Sequence, residues 1–115
     1  MSKELEDRFE RFAIDTRDFC RALKWDVINI QYIRQLIRSS SSIGANYLEA
    51  SDDLGKQDEK MKIKISRREA KESIHWLKLV LTYNHQDIEL NRLRLLDEAV
   101  QITKILSAIL NKLGQ

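Results

Sequence analysis

Apolar side chains recur at alternating steps of four and three along this chain, and none of its 115 residues is a proline. Leu5, Phe9, Phe12, Thr16, Phe19 and Leu23 form one such run, and Leu95, Ala99, Ile102, Leu106, Ile109 and Leu113 form another. An α-helix turns about 100° per residue, so this spacing gathers the apolar groups on one side, whereas a strand would alternate every second residue. Helices with apolar seams are therefore the only regular structure the pattern supports. One domain of this length can bury a real core.

The breaks in the pattern divide the chain into four helices, at about 4–23, 29–53, 58–83 and 89–113. Asn29 is the expected N-cap of the second helix, and Trp25 is expected to plug one end of the core. The second helix carries Ile33, Leu36, Ile37, Ile43, Tyr47, Leu48 and Leu54 on one broad side, with Gly55 as its stop signal. Ile63, Ala70, Ile74, Leu77 and Leu81 make the inner seam of the third, and Asn84-His85-Gln86-Asp87 reads as a turn. Four helices with short links predict an all-α, antiparallel up-down-up-down four-helix bundle as a single domain, 1–115.

The second helix also holds a polar stripe. Gln35, Arg38, Ser42, Asn46 and Glu49 fall within an arc of about 80°. Ser40, Gly44 and Ser51 lie opposite, where small side chains let a neighbouring backbone approach. One reading is a solvated face. The sharper one is a hydrogen-bonded network in which Arg38 answers Glu49 and Asn46 bridges to another helix, fixing register or oligomeric state.

On the third helix the apolar arc is about 220° wide, more than one bundle buries. Glu69, Glu72 and Ser73 lie inside it. Carboxylates there need partners, and Arg38 is the candidate, from this chain or another copy. The excess apolar width on this helix and the fourth predicts self-association. The remaining arc carries Lys60, Lys64, Arg67, Arg68, Lys71, His75 and Lys78 with no carboxylate between them, a stripe about 27 Å long. A stripe of that kind fits either a solvated face or a run of phosphates in RNA or DNA. No aromatic interleaves with it, so base stacking is not expected. The net charge of only +2 leaves partners undecided in bulk.

Catalytic and metal chemistry are not expected. Glu72 and His75 have the Glu-x-x-His spacing of di-iron bundles, but such a site needs two copies of it, and His85 is the one other histidine. Cys20, the single cysteine, sits beside an apolar seam and reads as core; it permits no internal disulfide and fits a reducing, cytoplasmic location. No phosphate-binding glycine loop and no activated serine arrangement is present. The opening MSKELEDRFERF has no apolar signal core, and no apolar run reaches the ~18 residues of a membrane span. Neither a cofactor nor a membrane partner is expected.

Two motifs carry a family resemblance. Ser42-Ile43-x-x-Asn46-x-x-Glu49 and Glu69-Ala70-x-Glu72-Ser73-x-x-Trp76-Leu77, set between an aromatic-rich first helix and a leucine-rich last one, resemble the four-helix bundle proteins also called 23S rRNA intervening-sequence proteins. The resemblance spans nearly the whole chain. It implies an antiparallel four-helix bundle assembling as a ring, often a homopentamer, encoded in insertions within bacterial large-subunit rRNA genes or elsewhere in bacterial genomes. A related accessory protein of diversity-generating retroelements is a basic pentameric bundle that binds nucleic acid and a reverse transcriptase. Most members have no established biochemical role. Gly44 stands where members often have proline or another small residue, and Glu49-Ala50 where many have Glu-Gly. The resemblance assigns Arg38, Asn46, Glu49, Glu69 and Glu72 to contacts within the bundle or between subunits. The functional expectation is a non-enzymatic oligomeric scaffold that binds nucleic acid weakly through the third helix. The alternatives are a module whose basic stripe meets an acidic protein, and a self-assembling product with no nucleic-acid role.

Overall fold

The computed structural model describes residues 2–52 and 55–114. Four helices account for most of them: α1 (Lys3–Ala22), α2 (Asn29–Ala50), α3 (Lys56–Leu79) and α4 (Gln86–Lys112). Among the described residues there is no strand. Each of α1 and α3 packs alongside both α2 and α4, with α1 diagonal to α3 and α2 diagonal to α4, and the body measures 46 × 22 × 21 Å.

The four-and-three spacing explains the core. Phe9, Phe12 and Phe19 of α1 meet Ile33, Leu36, Ile43 and Tyr47 of α2, Ile63, Ala70 and Leu77 of α3, and Leu95, Ile102 and Leu106 of α4, all sealed from solvent. Phe9 and Tyr47 pack edge to face with centroids 5.0 Å apart. The Ser2 amide donates to the Tyr47 hydroxyl (3.0 Å), pinning the start of α1 to the end of α2. Arg8 forks onto Glu98 with bonds of 2.9 and 2.8 Å, joining α1 to α4.

The α3 seam differs from the expected one. Ile74 is half-buried and Leu81 exposed; Ser66 and Ser73 complete the buried row Ile63, Ser66, Ala70, Ser73, Leu77. Small hydroxylated residues occupy these places where α2 and α3 make the most extensive helix contact in the molecule. A hydroxyl in such a crossing is harmless when it finds a backbone or hydroxyl partner. Leu48, expected inward, is exposed.

The connections also depart from expectation. Asn29 is the first residue of α2 rather than its cap. The Asp26 carboxylate caps instead, accepting from the amides of Ile28 (3.2 Å) and Asn29 (2.8 Å). Asn29 is completely buried. Its amide group donates to the carbonyls of Lys24 and Leu81 and its oxygen accepts from the Leu81 amide, so one side chain ties the α1–α2 link to the α3–α4 link. Trp25 does not plug the core: it is half exposed, with its indole N–H donating to the Cys20 carbonyl at the end of α1. The third helix stops at Leu79, not Tyr83, because Val80 leaves helical geometry and Tyr83 and Asn84 adopt left-handed φ of 54° and 62°. Gly55, at φ 104°, precedes α3 as its N-cap, a conformation suited to glycine. The expected end of the second helix near Asp53, and the inward placement of Leu54, lie outside the described residues.

Candidate nucleic-acid interface

The α3 sequence fixes a directional charge. It holds eight lysines and arginines against four carboxylates. Asp58 and Glu59 sit in the first turn, where they suit the helix dipole. Glu69 is turned toward α2 and only 4% exposed. The outward face therefore reads Gln57, Met61, Lys64, Arg68, Lys71, His75 and Lys78, every one exposed. None of Lys64, Arg68, Lys71 and Lys78 forms an ion pair among the described residues. From Lys64 to Lys78 the line is about 21 Å long at 1.5 Å per residue.

Two residues of the expected stripe face sideways toward α4. Arg67 is half-buried and donates to the Ser107 hydroxyl (3.3 Å), and Lys60 reaches the Gly114 carbonyl (3.4 Å). At those two positions the flank and end of α4 lie within reach, and the side chains bend to them. The free cation line is thus Lys64, Arg68, Lys71 and Lys78, with His75 in it.

Part of the polar stripe of α2 pairs differently from expectation. Arg38 lies 3.8 Å from Glu69, the carboxylate for which it is the candidate partner, while Glu49 pairs with Lys62 of α3 at 3.3 Å instead of with Arg38. Asn46 does not bridge to another helix: it donates to the Ser42 carbonyl (2.8 Å), and the Ser42 hydroxyl donates to the Arg38 carbonyl (2.7 Å). A helix interior offers carbonyls one turn back to short polar side chains, so these bonds close locally.

Buried hydrogen bonds between α2 and α3 come in addition from Ser39, Ser66 and Ser73, of which Ser66 was not singled out in the sequence. Ser66 donates to the Ile43 carbonyl across the crossing (2.8 Å), and the hydroxyls of Ser39 and Ser73 are 2.9 Å apart. Ser73 donates to the Glu69 carbonyl. Ser39 also faces a carbonyl, that of Leu36 at 3.3 Å, and either hydroxyl can donate in the Ser39–Ser73 contact. The sequence signal that could have found them is the four-and-three register shared by Ser66 and Ser73 with Ile63, Ala70 and Leu77.

Burial holds the Glu69 carboxyl above the usual carboxylate range, and neighbouring Glu72 adds to this; the Arg38 guanidinium pulls the other way. Glu72 is half-buried beside it. Burial pushes the Cys20 thiol up to about 12, which leaves it protonated and unreactive. Among the described residues no group of three or more His, Cys, Asp or Glu is placed to hold a metal ion, and no helix is long and apolar enough to cross a membrane.

The arrangement is a line of cations on the outer side of α3 and a serine-stitched crossing against α2 on its inner side. The same fold occurs in a crystal structure of a protein with unknown function from the S23 ribosomal protein family of Bacteroides thetaiotaomicron. That structure is 26% identical and superposes with a TM-score of 0.79 over 91% of this chain and 96% of the other. No curated protein matches this chain. The sequence model of the 23S rRNA-intervening sequence proteins matches residues 8–108. The match covers most of α1, all of α2 and α3 and most of α4, so the chain belongs to the 23S rRNA-intervening sequence protein family.

Proposed function

We propose that this protein is a non-enzymatic helical scaffold, an up-down-up-down bundle that self-associates and binds RNA or DNA weakly through the outer face of α3. The observation that carries the nucleic-acid reading is the line Lys64, Arg68, Lys71 and Lys78, exposed and free of ion pairs among the described residues. Four phosphate contacts give a salt slope of about −3.6 on a duplex, so affinity falls about 150-fold between 50 and 200 mM salt. Such binding is weak and reads little sequence.

Self-association rests on a separate feature. Trp25, Val27, Ile28, Leu79, Leu81, Tyr83 and Leu90 are all exposed, Val27 by 80%, and all belong to the ends and links at one end of the bundle. Scattered apolar residues are ordinary on a surface, but a concentration of them favours a protein contact. A ring, with five copies as the family resemblance implies, is the assembly we propose.

A mobility titration of RNA and DNA duplexes at two salt concentrations tests the binding. Changing Lys64, Arg68, Lys71 and Lys78 together to Glu abolishes it if the reading is right. Unchanged affinity in that variant, with helical content intact, refutes it. A pull-down that returns an acidic protein after nuclease treatment, with no duplex bound in titration, replaces this reading by a protein-interaction one.

A further inference from the structure

His75 lies within the cation line, one turn beyond Lys71 and nearly one turn before Lys78, and is exposed like them. Its ring stands edge-on to Trp76, with centroids 4.8 Å apart and planes 64° to each other. Trp76 in turn stacks on Tyr32 of α2 at 6.3 Å. The indole is thus occupied by the bundle and is not free for a base, while the imidazole lies on the surface that meets phosphates. Histidine is the side chain whose charge ordinarily changes between pH 5 and 8.

We propose that His75 is a fifth phosphate-contacting residue whose contact is proton-linked, so that the α3 face binds nucleic acid more tightly as the solution becomes acidic. This rests on the nucleic-acid reading of the same face. A phosphate line laid along Lys64, Arg68, Lys71 and Lys78 passes His75 between the last two. A neutral imidazole there offers one N–H donor at most, whereas the protonated ring offers charge and two donors. The two forms therefore differ in their interaction with a phosphate, and binding must take up a proton wherever the free ring is neutral.

The charged groups around His75 come from three helices. On α3 itself they are Lys71 and Lys78, cationic, and Glu72, half-buried beside Glu69. From α2 come Arg34 and Arg38, the second held by Glu69, and the neutral Tyr32. From α4 the bonds Arg67–Ser107 and Arg92–Leu77 set the register, which brings Arg92 and Asp97 to this level; Arg92 is paired with Glu89. Helix α1 lies diagonally across the bundle from α3. A bound polyanion beside the ring favours its charged form, so the proton arrives with the ligand.

The probes are a short blunt RNA duplex and its DNA counterpart, titrated with the whole chain at about pH 8 and about pH 5.5, across the histidine range. A fifth contact steepens the salt slope from about −3.6 to about −4.5 and raises affinity about eightfold at 0.1 M salt. His75→Gln removes the gain at acid pH, and His75→Lys holds the tighter binding at both. Since His75 is on the surface, circular dichroism of both variants is expected to match the parent. His85→Gln is the control for the other histidine and keeps the gain. A duplex bound equally at both pH values overturns the inference while leaving the nucleic-acid reading standing. A gain that survives in His75→Gln overturns it as well, and moves the origin of the effect to His85 or to the raised carboxyl of Glu69. Failure to bind at either pH refutes the nucleic-acid reading and the proton link with it.

Discussion

Replacing Asn29 removes more stability than any other single polar change in this protein is expected to. Its side chain makes three bonds to main-chain groups: to the Lys24 carbonyl at 2.9 Å, the Leu81 carbonyl at 3.0 Å and the Leu81 amide at 2.8 Å. Asn29→Ala leaves all three groups without their partner. A buried polar group left unpaired costs about 1–3 kcal/mol. Leu81 is 38% exposed, so water replaces part of the loss there. The expected net cost is about 2–4 kcal/mol, a large share of the ~5–15 kcal/mol that holds a domain together. At about 2.1 cal/mol/K per residue the unfolding entropy of this chain is about 0.24 kcal/mol/K, so the melting temperature falls by about 8–17 °C. Asn29→Asp should be worse near neutral pH, because it sets a carboxylate against two carbonyl oxygens, and it should recover in acid as the group gains a proton. Urea unfolding followed by circular dichroism, at matched protein concentration because self-association would stabilise the folded form, measures each cost. An Asn29→Ala variant within about 0.5 kcal/mol of the parent, the range of ordinary surface substitutions, would refute the claim that this side chain joins the two links.

Two further outcomes follow from the crossings. A Cβ added at Gly44 would sit 3.5 Å from the Cβ of Phe9, an ordinary contact; Gly44→Ala should therefore be neutral or raise stability by up to about 1 kcal/mol through helix propensity, while Gly44→Leu should lose about 1–3 kcal/mol by overpacking against α1, both read as melting temperatures. For Glu69 the folded carboxyl titrates above its ordinary value of 4.5, from burial first and Glu72 second. Its favourable contribution is thus complete below that ordinary value and lost as pH rises through the raised one. The parent should gain stability relative to Glu69→Gln as pH falls through the raised value toward 4.5, and a parent that instead loses ground in acid would show the Arg38 pair to dominate.

The helices were legible because each repeats one register over many turns. Phe9, Phe12, Thr16 and Phe19, or Leu95, Ala99, Ile102 and Leu106, announce the same buried face whichever neighbour they meet. The outward cations Lys64, Arg68, Lys71 and Lys78 were legible for the same reason, since a helix with one face committed to a core must present the other to solvent. Residues at the boundary between faces were not. Arg67 and Lys60 turned to α4, and Ile74 gave up its expected seam place to Ser73, because angle alone does not say how closely the next helix approaches.

The sequence by itself determined that this protein is all-helical, where its core lies and which side of α3 carries charge, because all three depend on periodicity within a single helix. The tertiary structure decided that Asn29 holds two links rather than capping a helix, that Glu49 answers Lys62 and not Arg38, and that Ser39 meets Ser73. It also gathered Trp25, Val27, Ile28, Leu81 and Tyr83 at one end of the bundle. Each of those outcomes depends on distances between segments far apart in the chain. A short polar side chain takes whichever donor or acceptor lies within about 3 Å, and only the packing of the four helices sets which one that is.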